Sequence, residues 1–362
     1  MTKEERLQLL KDVSEVNGIS GHEVEVSRLI QKYLKDDVDK FEFDNLGSTL
    51  AYLNGEEDQP TVLFTAHMDE IGFLVSRIEE NGYLRLQPVG GWWGHVVPAH
   101  EFIVKTRSGK EYLGVTGAQP PHGMPASERN KVMELKDMYL DLGVYSKAEV
   151  EALGVRVGDT ITPKQSFSVL NNGKALLGKA WDDRVCVAVG IEVTKNLRKR
   201  GHKVNFVFAG TVQEEVGLRG AGTTAYKVKP DIAFATDVTM SYDLPGSPNN
   251  DTKLGNGVAL SIMDSSVIAH RGLFDYVEDI AKANNIKYTY DMLTAGGTDS
   301  GSIHKTYDGI VNMTVSLPCR YFHSHVSIID YDDYVQLVDL MTEVVISLDK
   351  EKLAAIKATK YE

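Results

Sequence analysis

An α/β fold is what the sequence predicts: a layered domain whose largely parallel mixed sheet is flanked by helices, interrupted by an inserted small β-barrel. Three observations predict it. Apolar runs at 205–209, 232–236 and 310–316 alternate with helical patterns at 184–197, 274–283 and 333–348, the alternation expected of a parallel α/β sheet. The run at 61–66 (TVLFTA) is continuously apolar, as a strand covered on both faces must be. From about residue 73 to 165 the texture changes to short alternating runs, at 83–86, 102–106 and 112–116, separated by Gly, Pro and charged turns. The layered domain is therefore assigned to residues 1–72 and 166–362, and the β-rich insertion to 73–165.

Along the chain, Leu9, Leu10, Val13 and Val16 fall at helical spacing, and Gly18 is read as the stop of that first helix. Ser20 and Glu23 match a Ser-x-x-Glu capping box ahead of a second helix, whose apolar stripe is Val26, Leu29, Ile30, Tyr33 and Leu34. A strand is expected at 50–53, then the apolar strand that ends at His67. The basic cluster at 195–203 follows an apolar helical pattern and reads as a solvated helix end.

Composition narrows the function classes. With 362 residues, one large domain carrying a smaller one is the default; 42% hydrophobic and 25% charged residues are ordinary for a folded, water-exposed protein. No apolar run approaches the roughly 20 residues that span a bilayer. The first ten residues lack the pattern of a secretory signal, and two cysteines, Cys186 and Cys319, are too few for a disulfide framework, so a cytoplasmic protein with buried thiols is expected. A formal charge of −12, spread along the chain, makes nucleic acid a poor partner.

Ligand sites in open α/β sheets gather at the carboxyl ends of strands. There the chain places His67 and Asp69 (His-Met-Asp), Glu214 and Glu215 (Gln-Glu-Glu), Asp237 and, shortly after its strand, His323; Asp182 and Asp183 stand at the start of a predicted helix. Converging carboxylates repel and raise one another's pKa unless a cation neutralises them. Two His with several carboxylates suit Zn²⁺, Co²⁺ or Mn²⁺, and the lack of thiolates argues against a structural zinc site. A shared carboxylate would let the set hold two divalent ions, the arrangement that clamps a nucleophilic water beside the substrate oxygen. Taken singly, each residue reads as a solvated strand end; five elements of the right chemical type together do not.

The motifs His67-Met-Asp69-Glu-Ile-Gly, Ala180-Trp-Asp182-Asp183-Arg, Val212-Gln-Glu214-Glu215-Val-Gly, Ala235-Thr-Asp237, Gly296-Gly-Thr-Asp299 and Arg320-Tyr-Phe-His323-Ser resemble those of the glutamyl, leucyl and deblocking aminopeptidases, which include the tetrahedral aminopeptidases. The resemblance spans nearly the whole chain. It implies a metallo-aminopeptidase with Asp182 as bridging ligand, His67 and Asp237 on one ion, Glu215 and His323 on the other, zinc first and cobalt or manganese as alternatives. Glu214 would be the general base, and Asp69 would accept a hydrogen bond from His67 and fix its tautomer. Asp183 would support the local backbone, and His325 would line the rim. The insertion would dimerise, with dimers building a dodecamer that admits short peptides. Gly90-Gly-Trp-Trp93 and Pro120-Pro-His122-Gly are either family loop motifs or packing. Side-chain preference reads as broad or neutral, with glutamyl substrates as an alternative.

Rival chemistries fit less well. Gly220-Ala-Gly222-Thr-Thr-Ala225 imitates a dinucleotide fingerprint but does not directly follow its strand. No Gly-x-Ser-x-Gly elbow or His-Glu-x-x-His helix occurs. A two-metal carboxypeptidase or N-deacylase is the nearest competitor. A non-catalytic peptide-binding protein would leave Glu214 without a purpose.

Overall fold

The computed structural model describes residues 1–127 and 129–361. Two helices, α1 (Lys3–Glu15) and α2 (Val24–Leu34), precede β1 (Lys40–Phe43), β2 (Thr49–Leu53) and β3 (Thr61–His67). Six strands then form a closed barrel: β4 (Gly72–Ile78), β5 (Leu84–Val89), β6 (Glu101–Lys105), β7 (Glu111–Gly117), β8 (Tyr139–Asp141) and β9 (Thr160–Pro163), with α3 (Lys147–Leu153) before the last. There follow β10 (Ser168–Val169), β11 (Ala175–Gly178), α4 (Trp181–Arg200), β12 (Asn205–Thr211), α5 (Arg219–Val228), β13 (Ile232–Met240), β14 (Val258–Met263), α6 (Arg271–Ala283) and β15 (Tyr288–Met292). The chain closes with α7 (Ser300–Ile303), β16 (Val311–Cys319), β17 (Ser327–Asp330), α8 (Tyr331–Ser347) and α9 (Lys350–Ala358).

The main sheet has eight strands in the order β1-β2-β12-β3-β13-β16-β14-β15. Its centre, β12-β3-β13-β16, is parallel, whereas β2 joins β12 and β14 joins β16 in antiparallel sense. The centre strands are apolar on both faces because helices cover both: Val62, Phe64, Phe206, Phe208 and Phe234 pack on the α4 side, and Leu63, Val207 and Ala233 on the α5 side. A separate apolar core of Phe73, Phe102, Leu140 and Ile161 fills the barrel. The fold is thus the predicted α/β layer with an inserted barrel.

Helix α4 runs beneath the sheet, and every residue from Asp183 to Thr194 is buried. Gly190 permits this approach, since a Cβ there would lie 2.1 Å from the Phe208 ring. Its basic end, near the negative pole of the helix dipole, is surface-paired as expected, Arg198 with Asp39 and Arg200 with Glu343. At the other end Arg184 is fully buried and donates to the carbonyls of Met68 (2.5 Å), Val13 (3.0 Å), Val16 (2.8 Å) and Gly18 (3.0 Å). Glu70 completes the latch with Lys179 Nζ at 2.7 Å and Arg184 at 3.4 Å. The sheet edge, α4 and the N-terminal helices are locked together there.

Two local expectations fail. Helix α1 ends at Glu15 with Val16 as its cap, and Gly18 is instead the carbonyl that Arg184 reads. Ser20 and Glu23 form no capping box: α2 begins after Glu23 without a side-chain cap. Their polar atoms bind elsewhere, Ser20 Oγ to Asp69 at 2.6 Å and Glu23 to the Gln213 amide at 3.1 Å. The dinucleotide-like Gly220–Ala225 stretch lies inside α5, and the Gly220 amide is taken by the Val212 carbonyl at 2.9 Å. Cys186 and Cys319 are free and buried, as expected.

Arg184→Met strips four carbonyls of a donor and leaves Glu70 with one cation, so it should destabilise the fold by about 3–5 kcal/mol. A urea midpoint unchanged from wild type would refute the latch.

Candidate metal centre

The parallel register aligns His67, the last residue of β3, with Thr211, the last of β12. Beyond them the chains turn into the Met68-Asp69-Glu70 and Gln213-Glu214-Glu215 loops, while Asp237 sits in β13, and β16 leads into the loop bearing His323. Asp182 and Asp183 occupy the first turn of α4 in non-helical conformations, and the peptide between them is cis. All eight residues predicted as ligands, base or support meet at this one edge.

Asp182 is the hub. Its Oδ1 lies 3.1 Å from His67 Nε2 and its Oδ2 lies 3.2 Å from His323 Nε2. His67 Nε2 is 3.9 Å from Asp237, and His323 Nε2 is 3.5 Å from Glu215. Two triads therefore share one carboxylate, His67-Asp182-Asp237 and Asp182-Glu215-His323, and the donor atoms of each lie within 4.8 Å of one another. The first triad is the deeper, with His67 2% and Asp237 6% exposed, whereas the His323 side chain is 39% exposed. Glu214 belongs to neither triad, although its carboxylate is 3.9 Å from His67 Nε2.

Each imidazole has its tautomer set by a carbonyl, which can only accept. His67 Nδ1 donates to the Asp69 carbonyl at 3.0 Å, and His323 Nδ1 donates to the Gly91 carbonyl at 2.9 Å. Both Nε2 atoms are thereby free to ligate. The Asp69 carboxylate stands 3.5 Å from His67 Nδ1, so the Asp69 carbonyl is the nearer acceptor. That carboxylate accepts from the amides of Glu214 (3.0 Å) and Glu215 (3.1 Å). With Glu23 on the Gln213 amide, three consecutive N–H groups are pinned at a turn where Gln213 takes φ +58°. Asp183 accepts from the His67 amide at 3.2 Å and supports the backbone. Ser20, Glu23 and Gly91 carry no ligand signature, and sequence reasoning missed their parts.

His325 does not line the site. Its ring is buried, stacked 4.4 Å from His100, with Nε2 donating to the Lys164 carbonyl at 3.0 Å. Asp299, the last residue of the Gly-Gly-Thr-Asp motif, lies close enough to act on Glu214; its Oδ2 accepts from Thr211 at 2.6 Å, and its Oδ1 has no hydrogen-bond partner among the described residues.

Crowding shows in the proton affinities. Burial, then the neighbouring acids, pushes Glu214 and Asp237 well above the usual carboxylate range, and burial together with Asp182 raises Glu215 to about 8. Burial opposes charge on Asp182 too, yet the His323 and His67 hydrogen bonds hold it low. His323 is pushed down by burial but carried up to about 10 by Asp182 and Glu215. With protein groups alone, the cluster balances its charge by holding protons. Nitrogen and oxygen donors in two triads fit divalent cations that would replace those protons.

A cavity of about 570 Å³ opens beside both triads, walled by Met240, Tyr242, Asp264, Met292, Leu293 and Phe322. Among the described residues no Lys or Arg lines it.

Comparison with known proteins adds the following. The M42 glutamyl aminopeptidase family profile matches residues 47–340. The glutamyl aminopeptidase of Lactococcus lactis is 33% identical over 96% of this chain and 98% of its own. Among solved structures, the TET aminopeptidase of a marine-sediment Thaumarchaeota archaeon superposes with a TM-score of 0.95 at 37% identity, over 98% of this chain and 99% of that one. The TET1 peptidase of Pyrococcus horikoshii, which can assemble into a tetrahedron or a large octahedral shell, gives 0.85 at 35% identity, over 95% of this chain and 100% of that one.

The shifts set a pH dependence for chelator-treated protein. Glu215 is raised from 4.5 to about 8 and His323 from 6.5 to about 10, so each contributes stability that is complete below its unfolded value and lost as pH rises through its folded one. The melting temperature in chelator should therefore fall between about pH 5 and pH 10, and the rise on adding a divalent ion should be larger at pH 8.5 than at pH 6. A flat melting profile in chelator would contradict this account.

Proposed function

The chain belongs to the M42 glutamyl aminopeptidase family and is a metal-dependent aminopeptidase, and on that premise we propose that it trims N-terminal residues from short peptides with two divalent ions. One ion is assigned to His67, Asp182 and Asp237, the other to Asp182, Glu215 and His323. The observation that carries this reading is the sharing of Asp182, one oxygen turned toward each histidine. The donor set favours zinc first, then cobalt or manganese. Bound there, the ions supply Lewis acidity, polarising the scissile carbonyl and acidifying a water.

The remaining work falls to the chain. Glu214, outside both triads and held in a buried setting that raises its proton affinity, takes the proton of the attacking water and returns it to the leaving amine. Asp69 and Glu23 keep that carboxylate aimed by fixing the amides of residues 213–215. Hydrolysis of the peptide bond needs no covalent enzyme intermediate in this scheme.

The cavity takes the first side chain of the substrate. Its methionine, leucine and phenylalanine walls favour neutral side chains, and an acidic one would meet Asp264 with no cation to receive it. Arg320, in the loop beside that wall, is committed to Asp243 at 2.9 and 2.6 Å. The preference is accordingly neutral, in contrast to the glutamyl name of the family. The insertion at 73–165 is assigned as the dimerisation domain of the two-part organisation, with the layered parts 1–72 and 166–362 carrying the chemistry. A dodecameric shell like the tetrahedral assembly of the Pyrococcus horikoshii relative would restrict access to short peptides. No helix among the described residues is long and apolar enough to cross a membrane, and we place the protein in the cytoplasm.

Glu214→Gln should lower kcat by about 10²- to 10⁴-fold with metal content unchanged; activity surviving that change sinks the assignment of the base. Across aminoacyl substrates, leucyl and methionyl compounds should exceed glutamyl in kcat/KM by about tenfold or more, the scale of leaving a buried charge unpaired. On an unblocked peptide, residues should leave from the amino end; release from the carboxyl end would favour the carboxypeptidase alternative.

A further inference from the structure

The two histidines of the metal centre are oriented by different domains. His67 is held by a carbonyl two residues along its own chain, inside the layered domain. His323 is held by Gly91, which lies in the loop after β5 of the barrel. We infer that the Gly90-Gly91-Trp92 turn of the barrel is a positioning element for the outer ion, fixing His323 so that the Asp182-Glu215-His323 triad is a competent ligand set. This rests on the two-ion reading above.

Neither glycine can carry a side chain without disturbing the triad. A Cβ on Gly91 would stand 3.0 Å from His323 Nδ1 and 3.4 Å from Cε1. Gly90 adopts φ +81°, and a Cβ there would fall 2.5 Å from Ile71 and 3.3 Å from the Glu215 carboxylate. Trp92 anchors the turn to the barrel: its Nε1 donates to the Gly72 carbonyl at 2.9 Å, and its ring stacks on Phe73 at 4.9 Å and 20°. The loop that bears His323 needs such support, because Tyr321 and His323 both adopt left-handed backbone, at φ +63° and +57°. A second grip lies two residues on, where His325 stacks on His100, meets the edge of Phe102 at 5.2 Å, and donates to the Lys164 carbonyl. The barrel thus holds the loop at the ligand and again two residues beyond it, and no comparable hydrogen bond from the barrel reaches the His67-Asp237 pair among the described residues.

The selectivity of the effect is the test. Full-length protein is stripped with chelator and titrated with cobalt(II), following visible absorption and, by equilibrium dialysis, bound metal per chain. Wild type should take up two ions. Gly91→Ala should keep one at wild-type affinity and bind the other at least about tenfold more weakly, the usual scale for loss of a partner that orients a ligating histidine. Trp92→Phe, which keeps a ring on Phe73 but loses the Gly72 bond, should shift the same ion by a smaller factor; it decides the matter if Gly91→Ala fails to fold. Two ions bound with unchanged affinities in both variants would overturn the inference, as would equal weakening of both ions at an unchanged melting temperature. Fewer than two ions in wild type would overturn the two-ion reading itself, and this inference with it.

Discussion

Repulsion among buried carboxylates is the constraint on which the rest of this structure depends. Asp69, Asp183, Glu214, Asp237 and Asp299 are all buried at one sheet edge, with Asp182 and Glu215 beside them. Two like charges 4 Å apart repel by about 4 kcal/mol even at an effective dielectric near 20. The chain supplies two imidazoles on the front of this edge, while its buried cations, Lys179 and Arg184, are committed to Glu70 and to main-chain carbonyls behind it. The front of the edge is left acidic by construction. Divalent cations relieve that repulsion where protons otherwise must, and a site that is costly without them is selective for them.

Holding like charges together requires that each be fixed from behind. The backbone does much of this. Asp69 is the clearest case, since its carbonyl orients His67 while its carboxylate takes the amides of Glu214 and Glu215, so one residue links the deep triad to the Glu214 loop. Glu23 continues the row onto Gln213. Ser20 in turn donates to Asp69 at 2.6 Å. The N-terminal helical pair, remote from the chemistry in sequence, is therefore part of the mount for the catalytic loop, and the Arg184 latch ties it down.

The parts of this design differ in how far they could be read from sequence. The buried centre strands were legible because residues such as Val62, Leu63 and Phe64 leave no polar face, and the proposed ligands were legible because His67 and Asp237 follow such apolar runs, although β13 continues past Asp237 to Met240. The flanking strands β14 and β15 were not foreseen, since Ser261, Asp291 and the exposed Tyr290 break any apolar run. The capping-box reading of Ser20 and Glu23 failed for an instructive reason. A local motif predicts a local bond, and here the side chains reach partners 49 and 190 residues away, Glu23 also accepting from the Gly21 amide. The true box, Thr2 with Glu5, lies at the solvent-exposed start of α1, where nothing competes for those atoms. Gly91 was legible only as part of the Gly90-Gly-Trp-Trp93 motif and not as a partner of His323, because its contribution is a carbonyl that every residue has.

Where the barrel is inserted explains why it reaches the site. It interrupts the chain between the His67-Asp69 strand end and Asp182 at the start of α4, two elements whose side chains converge. Both junctions of the insertion therefore lie near the metal centre, and the loop after β5 cannot avoid its edge. His323, which comes from a strand much later in the chain, meets that loop from the opposite side. Both triads take their side chains from the layered domain, but the outer one leans through His323 on a carbonyl of the barrel, whose apolar core packs separately. With two ions bound as proposed, a joint of this kind would make the geometry of one answer to the position of the barrel while the other stayed fixed. Any surface on which the barrel docks is mechanically connected to the more exposed half of the centre.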